Sequence, residues 1–365
     1  MRFETPTEQF HNAVSIAARF AERRANLSAL AGILIAAENG RILLRATNLE
    51  CGVEISLPAK VTEGGVVAIP AHTLQGFISN VRGKSVSVAH VGEVVRVETD
   101  RAVASIKTLP ADDFPILPRV SASTVFTIKS NDLTRVIRSV AFCAATSTIK
   151  PELQSILLFA DAGKLSAVAT DSFRLAEKTA SLRSGGSVPH LLLPARNAVE
   201  FMRILETYQG DIDVYYNENQ ISAHINTIYF TSRLVDGSFP NYRQIIPASF
   251  STEAVVLRED FSQALKSLSI FSDKFFHMSF AIEPSKKALI LSSHNPDVGE
   301  QTSTIHAAIS GEAVTMSFNS RYLADSLQAI SGESIRILSN GMGKAILIKD
   351  AADESFLYLA MPMNR

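Results

Sequence analysis

Apolar and polar positions follow two different periods along the chain, and one of them is helical. Apolar residues recur three and four positions apart at Phe10, Ala13, Val14, Ala17 and Ala18. Because an α-helix turns once every 3.6 residues, this spacing places the apolar side chains on one face. The pattern predicts an amphipathic helix near the amino end.

Elsewhere, apolar and polar residues alternate, which is typical of strands with one buried face. Segments 41–46, 53–57 and 94–98 have this alternation, and short breaks such as 38–40 separate neighbouring segments. Breaks of this length suit hairpins, in which consecutive strands are antiparallel. The sequence therefore predicts an α+β fold in which helices pack on antiparallel sheet.

The same pattern returns along the chain. An apolar residue, a break and an amphipathic helix occupy residues 69–78, 193–202 and 318–327, so the copies lie 124 and 125 residues apart. A period this long indicates a repeated domain rather than a short solenoid unit. Each repeat is expected to contain two helices.

Two further markers recur in the same order. A polar tetrapeptide lies at 47–50, 170–173 and 293–296, at intervals of 123 residues. A segment that ends in Phe-Pro lies at 111–115 and again at 236–240, 125 residues later. We therefore predict three similar domains, with bounds at 1–120, 124–246 and 247–365.

Charge adds a weak signal. The chain has 35 Lys and Arg against 36 Asp and Glu, a net charge of −1, so it has no overall basic field that would attract nucleic acid. The segments around the predicted helices nevertheless sum to +5. Solvated helix faces would explain this excess, but repeated helices could also line one surface and add their fields. The segments counted are 8–24, 71–84, 131–150, 194–206, 258–275 and 319–330.

The motifs of common catalytic and cofactor sites are absent. The chain has no phosphate-binding Gly-rich loop ending in Lys-Ser/Thr, no His-Glu-x-x-His motif and only two cysteines, Cys51 and Cys143. Ser172 does not lie in a Gly-x-Ser-x-Gly elbow. We therefore expect no catalytic residue, no metal and no cofactor. The chain also lacks a run of about 18 apolar residues and a signal-like start, so we expect a cytoplasmic protein without a membrane span.

Four stretches together resemble one protein family. Residues 168–176, 234–242, 318–323 and 358–363 are similar to the bacterial DNA polymerase III beta subunit, the sliding clamp, and the resemblance extends over the whole chain. It implies a head-to-tail homodimeric ring of six similar domains. Such a ring encircles duplex DNA without sequence specificity and confers processivity on the replicative polymerase.

The resemblance also implies a pocket for a short peptide carried by partner proteins. The expected partners are the polymerase III catalytic subunit, the clamp loader, and other polymerases and repair proteins. Ser172, Phe173 and Gln244 depart from residues often found in the family, which could alter peptide preference. The pocket positions are Leu153, Thr170, Arg174, Leu175, Pro240, Ile245, Phe275, Asn319, Tyr322, Ile346, Leu359, Met361, Pro362 and Met363.

Two further surfaces follow from the resemblance. Cations on the hole-lining segments are expected to contact DNA phosphates, and edge strands of the first and third domains are expected to form the dimer seam. The DNA-contact candidates are Arg24, Arg82, Lys84, Lys150, Arg196, Arg203 and Lys266. The seam candidates are Arg96, Arg101, Ile106, Ile270, Phe271, Asp297 and Glu300.

Two other interpretations remain open at this point. A paralogous scaffold of the same fold would bind no DNA, and an enzyme could use the repeat as a frame. Charged pocket positions or lost helix cations would favour the scaffold, and a convergent set of acid, base or metal ligands would favour the enzyme. The sequence has none of these features.

Overall fold

The computed structural model describes residues 1–22, 27–120, 125–147 and 149–363. The described part of the first third follows the order strand, helix, five strands, helix, three strands. The helix predicted near Phe10 and the alternating strands are confirmed. The bounds are β1 (Arg2–Pro6), α1 (Thr7–Ala17), β2 (Gly32–Glu38), β3 (Arg41–Thr47), β4 (Cys51–Pro58), β5 (Lys60–Glu63), β6 (Gly65–Pro70), α2 (Ala71–Ile78), β7 (Ser85–Val91), β8 (Val94–Glu98) and β9 (Val103–Lys107).

The middle third repeats this order with four central strands instead of five. Its elements are β10 (Val125–Lys129), α3 (Ser130–Ala141), β11 (Ser155–Asp161), β12 (Lys164–Thr170), β13 (Arg174–Ser181), β14 (Val188–Pro194), α4 (Ala195–Leu205), β15 (Asp211–Tyr216), β16 (Gln220–Ile225) and β17 (Ile228–Arg233).

The last third returns to five central strands. Its elements are β18 (Thr252–Leu257), α5 (Arg258–Leu268), β19 (His277–Glu283), β20 (Ala288–Asn295), β21 (Gly299–His306), β22 (Ala308–Ser310), β23 (Val314–Asn319), α6 (Ser320–Ser326), β24 (Ser334–Ser339), β25 (Ile346–Asp350) and β26 (Phe356–Ala360). Two helices per repeat and sheets that pair antiparallel confirm the predicted fold class.

The chain divides into two compact units, which cut across the three predicted domains. The first comprises Met1–Asn131, Arg183–Gly185 and Glu200–Leu234. It holds a five-stranded sheet, β5-β1-β7-β8-β9, and an eight-stranded sheet, β10-β15-β16-β17-β4-β3-β2-β6. The second sheet joins strands of the first and second repeats through the pair β4 and β17.

The second unit comprises the remainder of the chain and has a matching design. A nine-stranded sheet, β14-β11-β12-β13-β26-β25-β24-β18-β22, joins strands of the second and third repeats through the pair β13 and β26. A four-stranded sheet has the order β21-β20-β19-β23. The bounds of the two units follow these joined sheets and do not separate the three repeats. The domain bounds at 1–120, 124–246 and 247–365 therefore stay predictions.

An ion pair connects the two repeats inside the nine-stranded sheet. Lys178 on β13 is buried, and its Nζ donates to Asp353 Oδ2 at 2.7 Å. Burial alone would raise the pKa of Asp353, but hydrogen bonds from Lys178 and Ser355 outweigh it and lower that pKa to about 2. The carboxylate therefore stays charged and keeps the buried ammonium partnered.

Candidate functional site

Four strand ends meet at one end of the nine-stranded sheet. β12 ends at Thr170 and β13 begins at Arg174, while β26 ends at Ala360 and β25 begins at Ile346. These strands are consecutive neighbours in the sheet and run antiparallel, so these four ends lie side by side. Eight of the fourteen predicted pocket residues lie on these four strands or in the segment that follows β26.

The turn between β12 and β13 is built by its own polar side chains. Asp171 Oδ1 accepts hydrogen bonds from the backbone N–H groups of Phe173 and Arg174, both at 3.0 Å. Thr170 Oγ1 donates to the carbonyl of Arg174 at 2.7 Å. Ser172 adopts the left-handed conformation, with φ of 79°, which an L-residue holds only when its surroundings enforce it. The turn is therefore rigid.

Arg174 locks this turn to the helices. Its guanidinium donates to Asp171 at 2.9 Å, to Asp325 of α6 at 2.6 Å and to the carbonyl of Phe142 at 2.7 Å. It also lies over the ring of Tyr322, 4.4 Å from the centroid, and only 12% of the side chain is exposed. Burial alone would lower the pKa of Arg174, but the hydrogen bond to Asp325 and nearby charges raise it.

A row of side chains crosses the sheet behind the turn. Thr170 pairs with Leu175, Leu175 with Leu359, and Leu359 with Leu347. Directly opposed residues of antiparallel strands share one face. The three leucines belong to one buried cluster, which also includes Tyr242. This face is covered by the segment around 235–250.

Ile346 lies on the other face from this row. It pairs with Ala360, which pairs with Arg174, so it belongs to the face that Arg174 occupies. Leu347, which the sequence analysis did not select, holds the position beside Leu359. β25 begins with three consecutive apolar residues, 346–348, so the sequence has no alternation that would select Leu347, and a shift of one residue reverses the face.

The predicted pocket residues differ widely in exposure. Five are more than nine-tenths buried, so they support the site from beneath: Leu153, Thr170, Leu175, Ile346 and Leu359. Met361, Ile245 and Phe275 are exposed by 38%, 52% and 59%, and Pro240 is also exposed. Phe173, noted only as a departure, is 61% exposed. The exposed residues are the ones available to a partner.

The carboxyl-terminal segment crosses this end of the sheet. Met361 N donates to the carbonyl of Phe173 at 2.8 Å, and Met363 N donates to the carbonyl of Ser317 on β23 at 2.8 Å. Pro362 lies between these two anchors. The segment therefore holds two methionine side chains at the site instead of fraying.

The predicted third-repeat residues flank α6. Asn319 caps α6 by accepting from Arg321 N at 3.0 Å, and its Nδ2 donates to the carbonyl of Phe275 at 3.5 Å. Tyr322 contacts Arg174, and its own carbonyl accepts from the buried Tyr358 hydroxyl at 2.7 Å. The structure therefore connects Phe275, Asn319 and Tyr322 through α6 to the turn at 170–174.

The first repeat contains a second copy of this arrangement. We call the polar turn, together with the chain segment whose backbone N–H bonds to it, a frame. Asn48 Oδ1 accepts from the N–H groups of Glu50 and Cys51, Thr47 Oγ1 donates to the carbonyl of Cys51, and Leu49 has φ of 71°. Arg233 N donates to the carbonyl of Glu50 at 2.8 Å, as Met361 N does to Phe173. The first two copies of the polar tetrapeptide therefore form equivalent turns.

Side-chain chemistry distinguishes the two frames. The row that reads Thr170, Leu175, Leu359 and Leu347 in the second unit reads Thr47, Gly52, Thr231 and Ser222 in the first. A Cβ on Gly52 would lie 2.4 Å from the side chain of Leu117, so that leucine already fills the space. The first frame thus lacks the apolar row.

The third tetrapeptide has a different structure. Residues 293–296 run from the end of β20 into the hairpin with β21, in which Asn295 pairs with Gly299. All three tetrapeptides lie at hairpins between consecutive strands of one sheet, but residues 293–295 of the third copy belong to β20 and its turn falls at 296–298, so the third turn is not equivalent to the first two.

Most of the DNA-contact candidates lie outside the helices or at their exposed faces. Arg82 and Lys84 follow α2, Lys150 follows α3, and all three are exposed. Arg196, Arg203 and Lys266 are exposed on α4 and α5. Arg203 donates to Glu200 at 2.5 Å, so its charge is partly compensated. Arg24 lies outside the described residues.

The charge excess is not carried by the helices themselves. The six described helices contain seven Lys and Arg and six Asp and Glu, a net charge of +1. The helices themselves are therefore only slightly basic, and the flanking residues of the counted segments supply the other +4. The remaining positive charge lies mainly in the segments that follow helix ends, where cations also interact favourably with the helix dipole.

The seam candidates lie on or near open sheet edges. β9 is an edge of the five-stranded sheet and β21 an edge of the four-stranded sheet. Ile106 on β9 is only 6% exposed, so burial by a second copy would add little, whereas Val103 on the same strand is 52% exposed. Sequence alternation along β9 could have identified Val103.

The other seam candidates are more accessible. Ile270 is 66% exposed and Phe271 is half-buried, in the short turn after α5. Arg101, Asp297 and Glu300 are exposed. Arg96 Nε donates to Glu98 at 3.2 Å, and both side chains are about half exposed.

Within the described ranges, no group of three or more His, Cys, Asp or Glu side chains could hold a metal ion. Among the same residues, no helix is long and apolar enough to cross a membrane.

Comparison with known proteins gives matches along the whole chain. Family models of the DNA polymerase III beta subunit match in order: the N-terminal domain at residues 1–118, the central domain at 127–241 and the C-terminal domain at 243–364. The beta sliding clamp of Salmonella typhimurium is 29% identical over 347 residues, which cover 93% of each chain.

Solved structures agree with these matches. A sliding clamp from Bartonella birtlesii, bound to griselimycin, has 27% identity and a TM-score of 0.93, with all of both chains covered. The fold is also that of the Bacillus subtilis sliding clamp, with 24% identity, a TM-score of 0.94, and 100% and 99% of the two chains covered.

Proposed function

The chain belongs to the DNA polymerase III beta subunit family, the DNA sliding clamps, and on this premise we propose that two copies close head to tail into a ring around duplex DNA. The members of this family are processivity factors and not enzymes. The ring holds DNA by enclosure, so it needs no tight or base-specific grip. It works in the cytoplasm, where replication takes place in bacteria.

One observation carries the proposal for partner binding. Phe173 and Met361 are exposed where the four strands β12, β13, β25 and β26 begin or end. Ile245 is exposed in the segment that covers the buried leucine row, and Phe275 is exposed beside Asn319, the cap of α6, which Arg174 connects to the same turn. Exposed apolar side chains on a rigid frame are typical of peptide-binding surfaces, and methionines adapt to several partners. We propose that the polymerase III catalytic subunit, the clamp loader and other polymerases and repair proteins dock here through a short apolar peptide.

If the ring holds DNA by enclosure, its retention on DNA should differ between circular and linear molecules. After loading by a clamp loader, the protein should remain on nicked circular DNA through gel filtration and leave once the circle is cut. Only a topological link depends on free ends. Equal retention on both forms would contradict the ring, and no retention on either would favour the scaffold without DNA function.

Removal of Met361 to Arg365 should weaken peptide binding about thirtyfold, equivalent to roughly 2 kcal/mol. The deletion removes two apolar walls and the backbone anchors to Phe173 and Ser317. Fluorescence anisotropy with a labelled Gln-Leu-x-Leu-Phe-type peptide measures the change. The truncated chain should still form a dimer and encircle DNA. Equal peptide affinity for the full-length and truncated chains would show that the carboxyl-terminal segment is not part of the site.

Single substitutions of the DNA-contact candidates by Ala should reduce the slope of log K against log salt by about one per lost phosphate contact. Binding should weaken equally on unrelated DNA sequences. Arg203→Ala should have the smallest effect of the set, because Glu200 already compensates its charge. Lys286→Ala, an exposed lysine in the turn between β19 and β20, is the matched control and should leave the slope unchanged. The proposal fails if none of the seven candidates alters the slope.

A further inference from the structure

A second groove adjoins the proposed peptide pocket on the outer face of the four-stranded sheet. It has a volume of about 390 Å³, and its lining includes Ser279 and Ser317, which pair across β19 and β23, and Thr315, two residues along β23. Their strand neighbours Phe280 and Phe318 are buried on the opposite face. Three hydroxyl groups therefore lie on the solvent-facing side of this sheet.

Apolar side chains form the walls of the groove. Pro362 and Met363 come from the carboxyl-terminal segment, and Met342 comes from the loop between β24 and β25. Met342 is 78% exposed and lies between Gly341 and Gly343, which both have positive φ. Among the residues up to 363 that the structure describes, none that lines the groove is charged.

The loop that carries Met342 is anchored at its base. Asn340 accepts from Ser251 N at 2.9 Å and donates to the carbonyl of Ser249 at 2.7 Å. The exposure of Met342 is thus a consequence of a fixed loop. A large apolar side chain held in water favours contact with a further apolar group.

The groove is continuous with the pocket through the segment 361–363. Met361 is anchored to the turn of the pocket, and Met363 to β23 of the groove. β23 is an edge strand, and its residues Ser317 and Thr315 direct their backbone groups away from β19, as the bond from Met363 N to the Ser317 carbonyl requires. An extended chain that leaves the pocket across Met361 therefore meets a strand edge that Met363 occupies at Ser317 and that has no strand partner at Thr315 among the described residues.

We propose that this groove binds the flank of the same partner peptide that the pocket anchors. The flank is extended and uncharged. It forms main-chain hydrogen bonds with the edge of β23 at Thr315, beyond the bond from Met363 to Ser317, and places one aliphatic or aromatic side chain between Met342 and Met363. The inference rests on the proposed function, because the pocket determines where the peptide enters.

Three peptides test the proposal: a Gln-Leu-x-Leu-Phe-type core, and the core extended by four uncharged residues, one of them Leu, at either its amino or its carboxyl end. One extended peptide should bind the full-length protein about tenfold more tightly than the core. Met342→Ala and Thr315→Glu should each remove this gain and leave the affinity for the core within twofold. Ser285→Glu adds the same charge in the exposed turn after β19 and should preserve the gain.

The outcomes separate the two proposals. If neither extension improves affinity, or if the gain survives in both Met342→Ala and Thr315→Glu, the groove is not a peptide site, although the pocket stands. If the core peptide does not bind but an extended peptide binds in a manner sensitive to both substitutions, the groove is supported and the pocket is wrong. If none of the peptides binds, both proposals fail.

Discussion

Replacement of Ile270 and Phe271 by aspartate should convert the proposed dimer into folded monomers. Ile270 is 66% exposed in a single chain, beside the open edge strand β21. Burial of two carboxylates in an apolar seam costs several kcal/mol unless they are paired. A loss of at least about 3 kcal/mol raises the dimer Kd more than a hundredfold.

Sedimentation velocity at micromolar concentration measures this effect, and far-UV circular dichroism verifies that the fold is retained. Ile116→Asp is a matched control, since Ile116 is 93% exposed and is not expected in the seam. It should stay dimeric. A dimer that persists in the double variant would place the seam elsewhere, and a monomeric control would mean that the loss is not specific to the seam.

Arg174→Ala should lower the free energy of unfolding by about 3–5 kcal/mol, because it leaves partly buried charges without their partner. Both Asp171 and Asp325 accept from this guanidinium, and Asp171, which is only 15% exposed, would keep a largely buried charge without a partner. The carbonyl of Phe142 loses its donor as well. Peptide affinity should fall too, since the turn at 170–174 loses its connection to α6.

Urea unfolding followed by circular dichroism measures the loss of stability. Arg336→Ala is the matched control: this arginine also contacts two carboxylates, Glu253 at 2.7 Å and Glu354 at 3.3 Å, but 32% of its side chain is exposed. It should cost less than about 1 kcal/mol. Similar losses in both variants would show that burial of Arg174 does not govern its contribution.

The fold class followed from local patterns. Helical spacing at Phe10 and Val14 and alternation in 41–46 were sufficient, since one buried face imposes its period on each element. The turns at 47–50 and 170–173 were also visible as polar tetrapeptides, because Thr and Asn or Asp build these turns from hydrogen bonds within four residues.

The register between strands that lie far apart in the sequence had no such local signal. The pairing of β4 with β17 and of β13 with β26 joins the repeats into shared sheets, and no pattern within a single repeat identifies these partners. The same pairing places Ile346 behind the sheet and Leu347 beside Leu359. A one-residue shift would exchange them, and only the completed ladder decides it.

The sequence alone determined the α+β elements of the three-fold repeat and the two polar turns, because each of these elements depends on neighbours within one helical turn or one hairpin, whereas the pocket residues were implied by the resemblance to the family. The tertiary structure decided which of those residues are accessible. It buried Arg174 among two carboxylates and a carbonyl, left Phe173 and Met342 in solvent, and closed the first frame with Leu117 over Gly52. Burial depends on chain segments far apart in sequence, so these distinctions arise only when the sheets of successive repeats join.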